Sequence, residues 1–317
     1  MTTMDLTVVV GTYNRAASLR HTLEALAAQQ VPPGLDWEVV IVDNNSPDET
    51  ASMVREFAAR GSMPLTYLFE SRQGVSWARN AGVAQAKGEV IAFTDDDVRP
   101  ASDWVAMVWT AMRESGADVL GGRILPEWSG PLPAWLERNR WLYGYLALMD
   151  HERPERILRE VGIPQVWGAN MAFRRALLDK IGLFDVSLGR VGGRLQSGED
   201  ANIVTRALGA GAHVLYDPRL VVWHRVPEER TRRSYFRRWH FDGAWGTALR
   251  AGPPPGRRLL GVSLFSYRWL IVRLAAWLVA LGRRRDAFEL ELDFLAAAGR
   301  WWGEWQASRA DGGRHSS

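Results

Sequence analysis

The sequence predicts an α/β fold with a mostly parallel, Rossmann-like sheet, helices on both faces of the sheet, and a mainly helical C-terminal extension. In the first half of the 317-residue chain, unbroken apolar runs alternate with helix-like segments. Strands of that kind are usually buried on both faces in a parallel sheet. The end of the chain is basic and rich in tryptophan. We therefore predict an α/β domain over residues 1–230 and a basic, tryptophan-rich helical region over residues 231–317 that forms a lid, associates with a membrane surface, or both.

The predicted strands cover residues 6–12, 37–44, 65–71 and 89–95, with helices at 18–30 and 77–86. Another helix is predicted to start at Ser46, because Pro47 suits the first helical position. Residues 126–165 contain five prolines and are predicted to form an extended loop with short helices. A later strand, 220–226, carries His224.

Polar residues stand at or just past the ends of these strands: Thr12, Asp43, Arg72 and the run Asp95–Asp97. Because the carboxyl ends of parallel strands share one edge of a sheet, these side chains are expected to meet there. Three adjacent carboxylates repel one another unless a positive group lies nearby. Carboxylate oxygens suit Mg²⁺ or Mn²⁺ together with substrate phosphates. The alternative is a helix cap or a solvated turn.

Composition restricts the chemistry. The chain has no cysteine, which excludes disulfides, thiolate metal sites and a cysteine nucleophile. The N-terminus lacks the features of a signal peptide, and a cytoplasmic location is predicted. Residues 225–317 carry 17 arginines against nine acidic residues. This charge favours an anionic surface as partner, and nucleic acid is not expected because no nucleic-acid-binding motif is present.

Six segments occur in one order along residues 5–226, roughly two-thirds of the chain: VVVGTYNR, VVIVDNNSPDET, RQGVSWARNAGVAQAKGEVIAFTDDD, WGANMAFRR, GEDANIVTRALGAG and the histidine of VVWHRV. In this set of motifs the chain resembles the family 2 glycosyltransferases, which have the GT-A nucleotide-sugar-binding fold. No single segment would be specific enough, but their order and spacing together are.

The resemblance implies a nucleotide-sugar site. It places Asp43 on the edge of the nucleobase and Thr12 and Tyr13 around the base or its ribose. Asp95 is expected at the ribose hydroxyls, with Asp96 assisting. The resemblance also implies two ligands of a Mn²⁺ or Mg²⁺ ion that bridges the two phosphates, namely Asp97 and His224.

The resemblance implies catalytic roles for two neighbouring acids. Asp200 is expected to be the general base of an inverting transfer, and Glu199 to orient the acceptor. Both acids fall in the first turn of a predicted helix, where the helix dipole alone would favour them. Further residues are expected near the nucleotide, the donor sugar or the acceptor: Arg72, Arg79, Asn80, Trp167 and Asn170. For Arg79 the alternative is a buttress for the acids, and for Trp167 it is core packing.

The C-terminal region carries two weaker signals. Ser234–Trp239 lacks the glutamine of the QxxRW pattern of processive family members, which argues against processive synthesis. Residues 259–285 are apolar but contain Arg268 and Arg273, and arginine is costly in the middle of a bilayer. An interfacial helix that attaches the protein peripherally to an anionic membrane is predicted. A helix packed on the catalytic domain is the alternative.

The predicted activity is the inverting, metal-dependent transfer of a sugar from a nucleotide diphosphate sugar, with UDP-sugars favoured, to a hydroxyl of a glycan or lipid-linked acceptor. This transfer would serve the synthesis of cell-surface polysaccharide or glycoconjugate. The alternatives are a polyprenyl-phosphate sugar synthase and a non-catalytic nucleotide-sugar-binding protein. A dinucleotide-dependent oxidoreductase is disfavoured, because no G-x-G-x-x-G motif follows the first strand.

Overall fold

The computed structural model describes residues 4–151, 156–158, 166–190, 198–283 and 287–312. The chain divides into two compact units. Unit 1 holds the described residues up to Pro227, and unit 2 holds those from Glu228 onwards.

Unit 1 is an α/β unit. Its elements in chain order are β1 (Leu6–Thr12), α1 (Ala16–Ala27), β2 (Trp37–Asp43), α2 (Thr50–Ala59), β3 (Leu65–Phe69), α3 (Val75–Gln85), β4 (Val90–Asp95), β5 (Val98–Pro100), α4 (Trp104–Ser115), β6 (Val119–Trp128), α5 (Ala134–Glu137), β7 (Arg156–Leu158), β8 (Met171–Arg174), α6 (Arg175–Ile181), α7 (Glu199–Gly209) and β9 (Val214–Val226). Two 3₁₀ helices cover Arg140–Leu146 and Gly168–Asn170.

The strands of unit 1 form one nine-stranded sheet in the order β3-β2-β1-β4-β8-β6-β9-β5, with β7 paired to β9. The first strands are parallel, because a helix connects each to the next. β8 then enters antiparallel to both β4 and β6, so the second half of the sheet is mixed. The predicted α/β fold is confirmed.

The parallel pairing brings the predicted polar positions together. Thr12 lies opposite Asp43, and Gly11 lies opposite Asp95. Because β1, β2 and β4 run in the same direction, their carboxyl ends form one rim of the sheet, which we call the acidic rim.

Two predicted boundaries are wrong. α2 begins at Thr50 rather than near Ser46, because Asp48 is the residue that binds the first backbone amides. Its carboxylate accepts from Thr50 N and from Ala16 N, both at 3.1 Å, and so holds the starts of α2 and α1. β6 continues to Trp128, into the segment predicted as loop. Residues 152–155 and 159–165 of that segment lie outside the described residues.

Unit 2 is mainly helical, as predicted. A 3₁₀ turn (Glu228–Thr231) precedes α8 (Arg233–Ala251), the hairpin β10 (Arg258–Leu259) and β11 (Val262–Ser263), α9 (Leu264–Gly282) and α10 (Phe288–Gly312). Glu304 of α10 is fully buried and accepts from Ser263 N at 3.0 Å and from Ser266 Oγ at 2.7 Å. These bonds tie the start of α9 to α10.

Candidate active site

The acidic rim has a cation that the sequence analysis did not identify. Arg15 Nη1 lies 3.0 Å from Asp96 Oδ1 and 2.8 Å from Asp97 Oδ2. Thr12 Oγ1 donates to Asp96 Oδ2 at 2.8 Å. Arg15 follows directly on the loop after β1, and the pairing of β1 with β4 brings that loop to the carboxylates. The positive group that three adjacent carboxylates require is therefore supplied, at least in part, by the protein itself.

Asp96 is the most enclosed of the three adjacent carboxylates Asp95, Asp96 and Asp97, with 5% of the residue exposed. Burial raises the pKa of Asp96 to about 6, against the opposing charge of Arg15 and with a further contribution from the negative charge of Asp97. Asp96 therefore gains its negative charge closer to neutrality than an ordinary aspartate does.

Asp97 and His224 lie together, as a shared metal site requires. His224 is paired with Val98 across β5 and β9, and its Nε2 is 3.2 Å from Asp97 Oδ1. His224 Nδ1 is buried and has no hydrogen-bond partner among the residues that the structure describes. A carboxylate oxygen beside an imidazole nitrogen suits Mn²⁺, so these two residues fit the predicted ion.

Those two ligands do not complete a metal site. Within the described part of the chain, no group of three or more His, Asp or Glu side chains is arranged to hold a metal ion. Mg²⁺ and Mn²⁺ commonly bind through one or two protein carboxylates plus the phosphates of a substrate. Any ion at Asp97 and His224 would therefore need oxygen ligands from a bound diphosphate or from water.

A second cluster of charges surrounds Arg79 on α3, which is only 5% exposed. Its guanidinium lies 2.6 Å from Asp200 Oδ1, 3.3 Å from Glu199 Oε1 and 3.6 Å from Asp95 Oδ1. One buried cation thus serves three carboxylates. Because Asp95 belongs to the rim and the other two acids begin α7, Arg79 joins the rim to α7. The sequence left two roles open for Arg79, contact with the nucleotide and support of the acids. Its ion pairs with three carboxylates favour the second role.

Both oxygens of Asp200 are held in place. Arg79 binds Oδ1, and the backbone N–H of Gly168 donates to Oδ2 at 2.8 Å. A Cβ at position 168 would lie 1.9 Å from Arg79 Nη2, so only glycine permits this approach. The Asp200 side chain is nevertheless 22% exposed. It is a fixed carboxylate that an acceptor hydroxyl can reach from solvent.

Glu199 shares the same cation but is more deeply buried than Asp200. Its Oε2 has no hydrogen-bond partner among the described side chains and backbone. Burial raises the pKa of Glu199 to about 7, the negative charge of Asp200 adds to the rise, and Arg79 opposes it. With one guanidinium for three carboxylates, a proton on Glu199 relieves the excess negative charge.

The raised pKa of Glu199 predicts how stability depends on pH. The folded state holds the proton more tightly than the unfolded state, so this group lowers the free energy of unfolding as pH rises from about 5 to about 8. Glu199→Gln removes the ionisation. The free energy of unfolding of the variant, relative to that of the parent, should therefore rise by about 2–3 kcal/mol between pH 5 and pH 8. Urea unfolding at both pH values measures this difference. A difference that does not change with pH would contradict a raised pKa.

Asp43, which was predicted to contact the nucleobase, is 1% exposed. Its Oδ1 accepts from Ser46 N at 2.9 Å and its Oδ2 from Tyr67 OH at 2.8 Å. Burial and the hydrogen bond to Asp43 raise the pKa of Tyr67 to about 12, so its hydroxyl remains a donor at neutral pH. A nucleobase would have to share the oxygens of Asp43 with these donors. Tyr13, at the end of β1, is 42% exposed.

Arg72 is exposed and oriented by its neighbours. It forms a two-pronged ion pair with Glu70, at 2.9 Å from Nε and 2.7 Å from Nη2. Its guanidinium also lies over the ring of Trp77, 3.8 Å from the ring centre. Neither Glu70 nor Trp77 was identified from the sequence, because an acid and an aromatic in this segment have no distinctive spacing.

Two predicted ligand residues, Asn80 and Asn170, have hydrogen-bond partners within the fold. The amide of Asn80 both donates to and accepts from the backbone of Phe184, at 2.9 Å each. Asn170 is 1% exposed, accepts from Trp104 Nε1 and donates to the carbonyls of Arg123 and Leu220. The structure thus gives both amides a role in the fold where contacts with the nucleotide or sugar were predicted. Trp167 is half-buried beside Gly168, at the Asp200 end of the site.

Comparison with known proteins identifies the family. The model of the family "Glycosyl transferase family 2" matches residues 7–182. The glucosyl-dolichyl phosphate glucuronosyltransferase of Haloferax volcanii is 29% identical over 233 residues, 72% of this chain and 71% of the relative. The succinoglycan biosynthesis protein ExoM of Rhizobium meliloti is 25% identical over 287 residues, which are 90% of this chain and 83% of the relative.

A solved structure has the same fold. The mannosyltransferase PcManGT of Pyrobaculum calidifontis, in complex with GDP-Man and Mn²⁺, aligns with a TM-score of 0.60 at 20% identity, over 98% of this chain and 88% of that one. The fold, together with the carboxylates at its strand ends, is that of a GT-A enzyme that acts on nucleotide sugars. The chain belongs to glycosyl transferase family 2, and the family predicted from the sequence motifs is confirmed.

Proposed function

We propose that this protein is an inverting, metal-dependent glycosyltransferase. It would transfer a sugar from a nucleotide diphosphate donor, with UDP-sugars favoured, to a hydroxyl of a glycan or lipid-linked acceptor in the synthesis of cell-surface polysaccharide or glycoconjugate. The observation that carries the proposal is the state of Asp200: accessible, held at both oxygens, and joined through Arg79 to Asp95 of the rim.

The proposed reaction is one displacement. Asp200 accepts the proton of the acceptor hydroxyl while that oxygen attacks the anomeric carbon of the donor sugar. The bond from that carbon to the diphosphate breaks, and the configuration at the carbon inverts. Arg79 and the N–H of Gly168 keep the carboxylate of Asp200 in position, and Glu199 would orient the acceptor.

The donor end of the site is proposed to use the rim. Asp43 and Tyr13 would contact the nucleobase, and Asp95 the ribose. A Mn²⁺ or Mg²⁺ ion held by Asp97 and His224 would neutralise negative charge on the departing diphosphate. Thr12 and Arg15 would act indirectly, because they hold Asp96 and Asp97 in place.

A lipid-linked acceptor is supported by the name of the Haloferax relative, which describes transfer onto a glucosyl-dolichyl phosphate. Such acceptors lie in membranes, so we propose that the enzyme acts in the cytoplasm at the inner face of the cell membrane.

Thermal unfolding with UDP, GDP and dTDP, each with and without Mn²⁺, tests the donor site. One nucleotide is expected to stabilise the protein only when Mn²⁺ is present, and a ligand at 100 times its dissociation constant adds about 2.7 kcal/mol. Asp97→Ala should abolish this effect. Asp103→Ala, which removes an exposed aspartate at the start of α4, is the matched control and should retain it. An unchanged response in Asp97→Ala would contradict the metal site.

A further inference from the structure

α9 presents an apolar face to solvent. In the described part of the chain it is the one helix long and apolar enough to cross a membrane, and only 11% of its most apolar window is buried. Its exposed residues recur every three or four positions and therefore lie on one side of the helix. Nine of the ten exposed residues of α9 form this side, and the tenth, Leu281, lies beyond its edge. The nine are Leu264, Phe265, Arg268, Ile271, Val272, Ala275, Leu278, Val279 and Gly282, which we call the α9 face.

The other side of α9 is attached to α10. Arg273 pairs with Asp293 at 2.9 Å, and Trp277 stacks on Phe294 with ring centres 5.3 Å apart. A spanning α9 would have to lose these contacts or draw the charged residues of α10 into hydrocarbon, which is costly. The helix therefore suits a position along a membrane surface, with α10 on the aqueous side.

The β10–β11 hairpin extends this apolar surface. Leu259 and Leu260 are 54% and 79% exposed, and they precede the first residues of the α9 face by only a few positions. Leu260 has a φ of +51°, a conformation that non-glycine residues rarely adopt and that costs free energy. The Tyr267 hydroxyl donates to the carbonyl of Leu259 at 3.2 Å and helps to fix the hairpin. The fold thus keeps two leucines exposed to solvent, although the backbone conformation of Leu260 is energetically unfavourable.

The charge around the α9 face has one sign. From Gly243 to Arg285 the sequence contains eight arginines and no acidic residue. Two copies of α9 packed face to face would bring these arginines near one another in either orientation. An anionic lipid surface instead complements them, at about 1 kcal/mol for each arginine close to the membrane. A second copy is therefore the less favoured occupant.

We propose that the α9 face and the leucines of the β10–β11 hairpin dock this chain on an anionic lipid bilayer, with α9 lying in the headgroup region parallel to the surface. An amphipathic helix with basic residues and an apolar face binds in this way. The inference deepens the proposed location at the membrane, and it does not depend on the proposed transfer chemistry.

Flotation of the full chain with vesicles tests the proposal. Binding is expected to vesicles of phosphatidylcholine mixed with phosphatidylglycerol and to be much weaker with phosphatidylcholine alone. The double variant Ile271→Glu and Val279→Glu, at exposed positions of the α9 face, should lower the partition coefficient at least about tenfold. The double variant Leu183→Glu and Val186→Glu adds the same two charges at exposed apolar residues of unit 1 and should bind like the parent.

The arginines are tested separately. Arg257→Gln with Arg258→Gln should weaken binding to the anionic vesicles by about fivefold for each charge removed, with little effect on phosphatidylcholine vesicles. Absence of flotation, or equal binding by the parent and the double glutamate variant, overturns the proposal. So does a parent dimer in sedimentation equilibrium that the glutamate variant converts to monomer without any vesicle binding.

The nucleotide response separates this inference from the proposed function. The glutamate variant should keep the Mn²⁺-dependent stabilisation by nucleotide, because α9 carries none of the rim residues. Loss of vesicle binding with the nucleotide response intact locates the defect at the membrane surface. A parent that binds vesicles but no nucleotide would refute the transferase proposal and leave the docking surface standing.

Discussion

Replacement of Asp200 by asparagine is expected to lower kcat for sugar transfer by about 10²–10⁴-fold, the usual effect of losing a general base. The asparagine carbonyl can still accept a hydrogen bond from Arg79, but the amide NH2 cannot accept from the backbone N–H of Gly168, so one of the two bonds that hold the side chain is lost. The asparagine cannot take up the proton of an acceptor hydroxyl at neutral pH. The measurement is the release of nucleoside diphosphate from the donor whose nucleotide stabilises the protein, in the presence of a lipid-linked acceptor.

Asp179→Asn is the control for this variant. Asp179 is an exposed aspartate on α6, and its replacement should leave the rate unchanged. Thermal stabilisation by nucleotide and Mn²⁺ should be the same in Asp200→Asn as in the parent, since Asp200 is not expected to contact the nucleotide. A rate near that of the parent would exclude Asp200 as the base. A lost rate together with a lost nucleotide response would place Asp200 in the donor site instead.

The acidic rim could be predicted because it depends on strand direction alone. The runs around Val8, Ile41 and Ile91 are apolar without interruption, so they predict buried parallel strands. Parallel strands align their carboxyl ends, and the structure indeed pairs Thr12 with Asp43 and Gly11 with Asp95. No side-chain contact had to be known to locate these residues at one edge.

The partners of the acids could not be predicted, because they come from distant parts of the chain. Arg15 meets Asp96 across 81 positions, and Arg79 meets Asp200 across 121. An arginine after a strand or on a helix has the same local pattern whether it contacts phosphate, carboxylate or water. Only the pairing of β1 with β4 and the approach of α7 to α3 determine which of these it contacts.

Asn80 and Asn170 show the same limitation of prediction from sequence. An amide side chain suits a sugar hydroxyl and a backbone carbonyl equally well. Asn170 accepts from the buried indole of Trp104 and donates to the carbonyl of Leu220, 50 positions away. β8 next to Asn170 runs antiparallel between β4 and β6, and no pattern in the sequence indicated that insertion. Without it, the position of Asn170 in the core was not predictable.

Arg79→Leu is expected to lower the free energy of unfolding by about 3–5 kcal/mol at pH near 8, the usual cost of removing one partner from a buried ion pair. The guanidinium also lies over the ring of Phe184, 5.3 Å from its centre, so leucine can fill part of the space. What leucine cannot replace is the positive charge shared by Asp95, Glu199 and Asp200. Sugar transfer should fall at least as far as in Asp200→Asn, because the base is no longer held.

The loss of stability in Arg79→Leu should depend on pH. Without the cation the folded state favours protonated carboxyls, so the pKa values of Asp95 and Glu199, already raised by burial, rise further. The folded state then binds more protons, and the free energy of unfolding falls as pH rises. Urea unfolding at pH near 5 and pH near 8 should therefore show the larger loss at the higher pH. Arg79→Lys, which keeps the charge but cannot reach three acids at once, should fall between the parent and Arg79→Leu.

Arg175→Leu supplies the matched comparison, because Arg175 binds the carbonyl oxygens of Gly88 and Ala86 rather than carboxylates. Arg175→Leu should also lower the free energy of unfolding through lost hydrogen bonds, but the loss should be the same near pH 5 and near pH 8. If Arg79→Leu behaved in the same way, with equal losses near pH 5 and pH 8, the guanidinium of Arg79 would be a packing and hydrogen-bonding group. The hydrogen bond from Arg79, rather than its charge, would then hold Asp200 in position together with the N–H of Gly168.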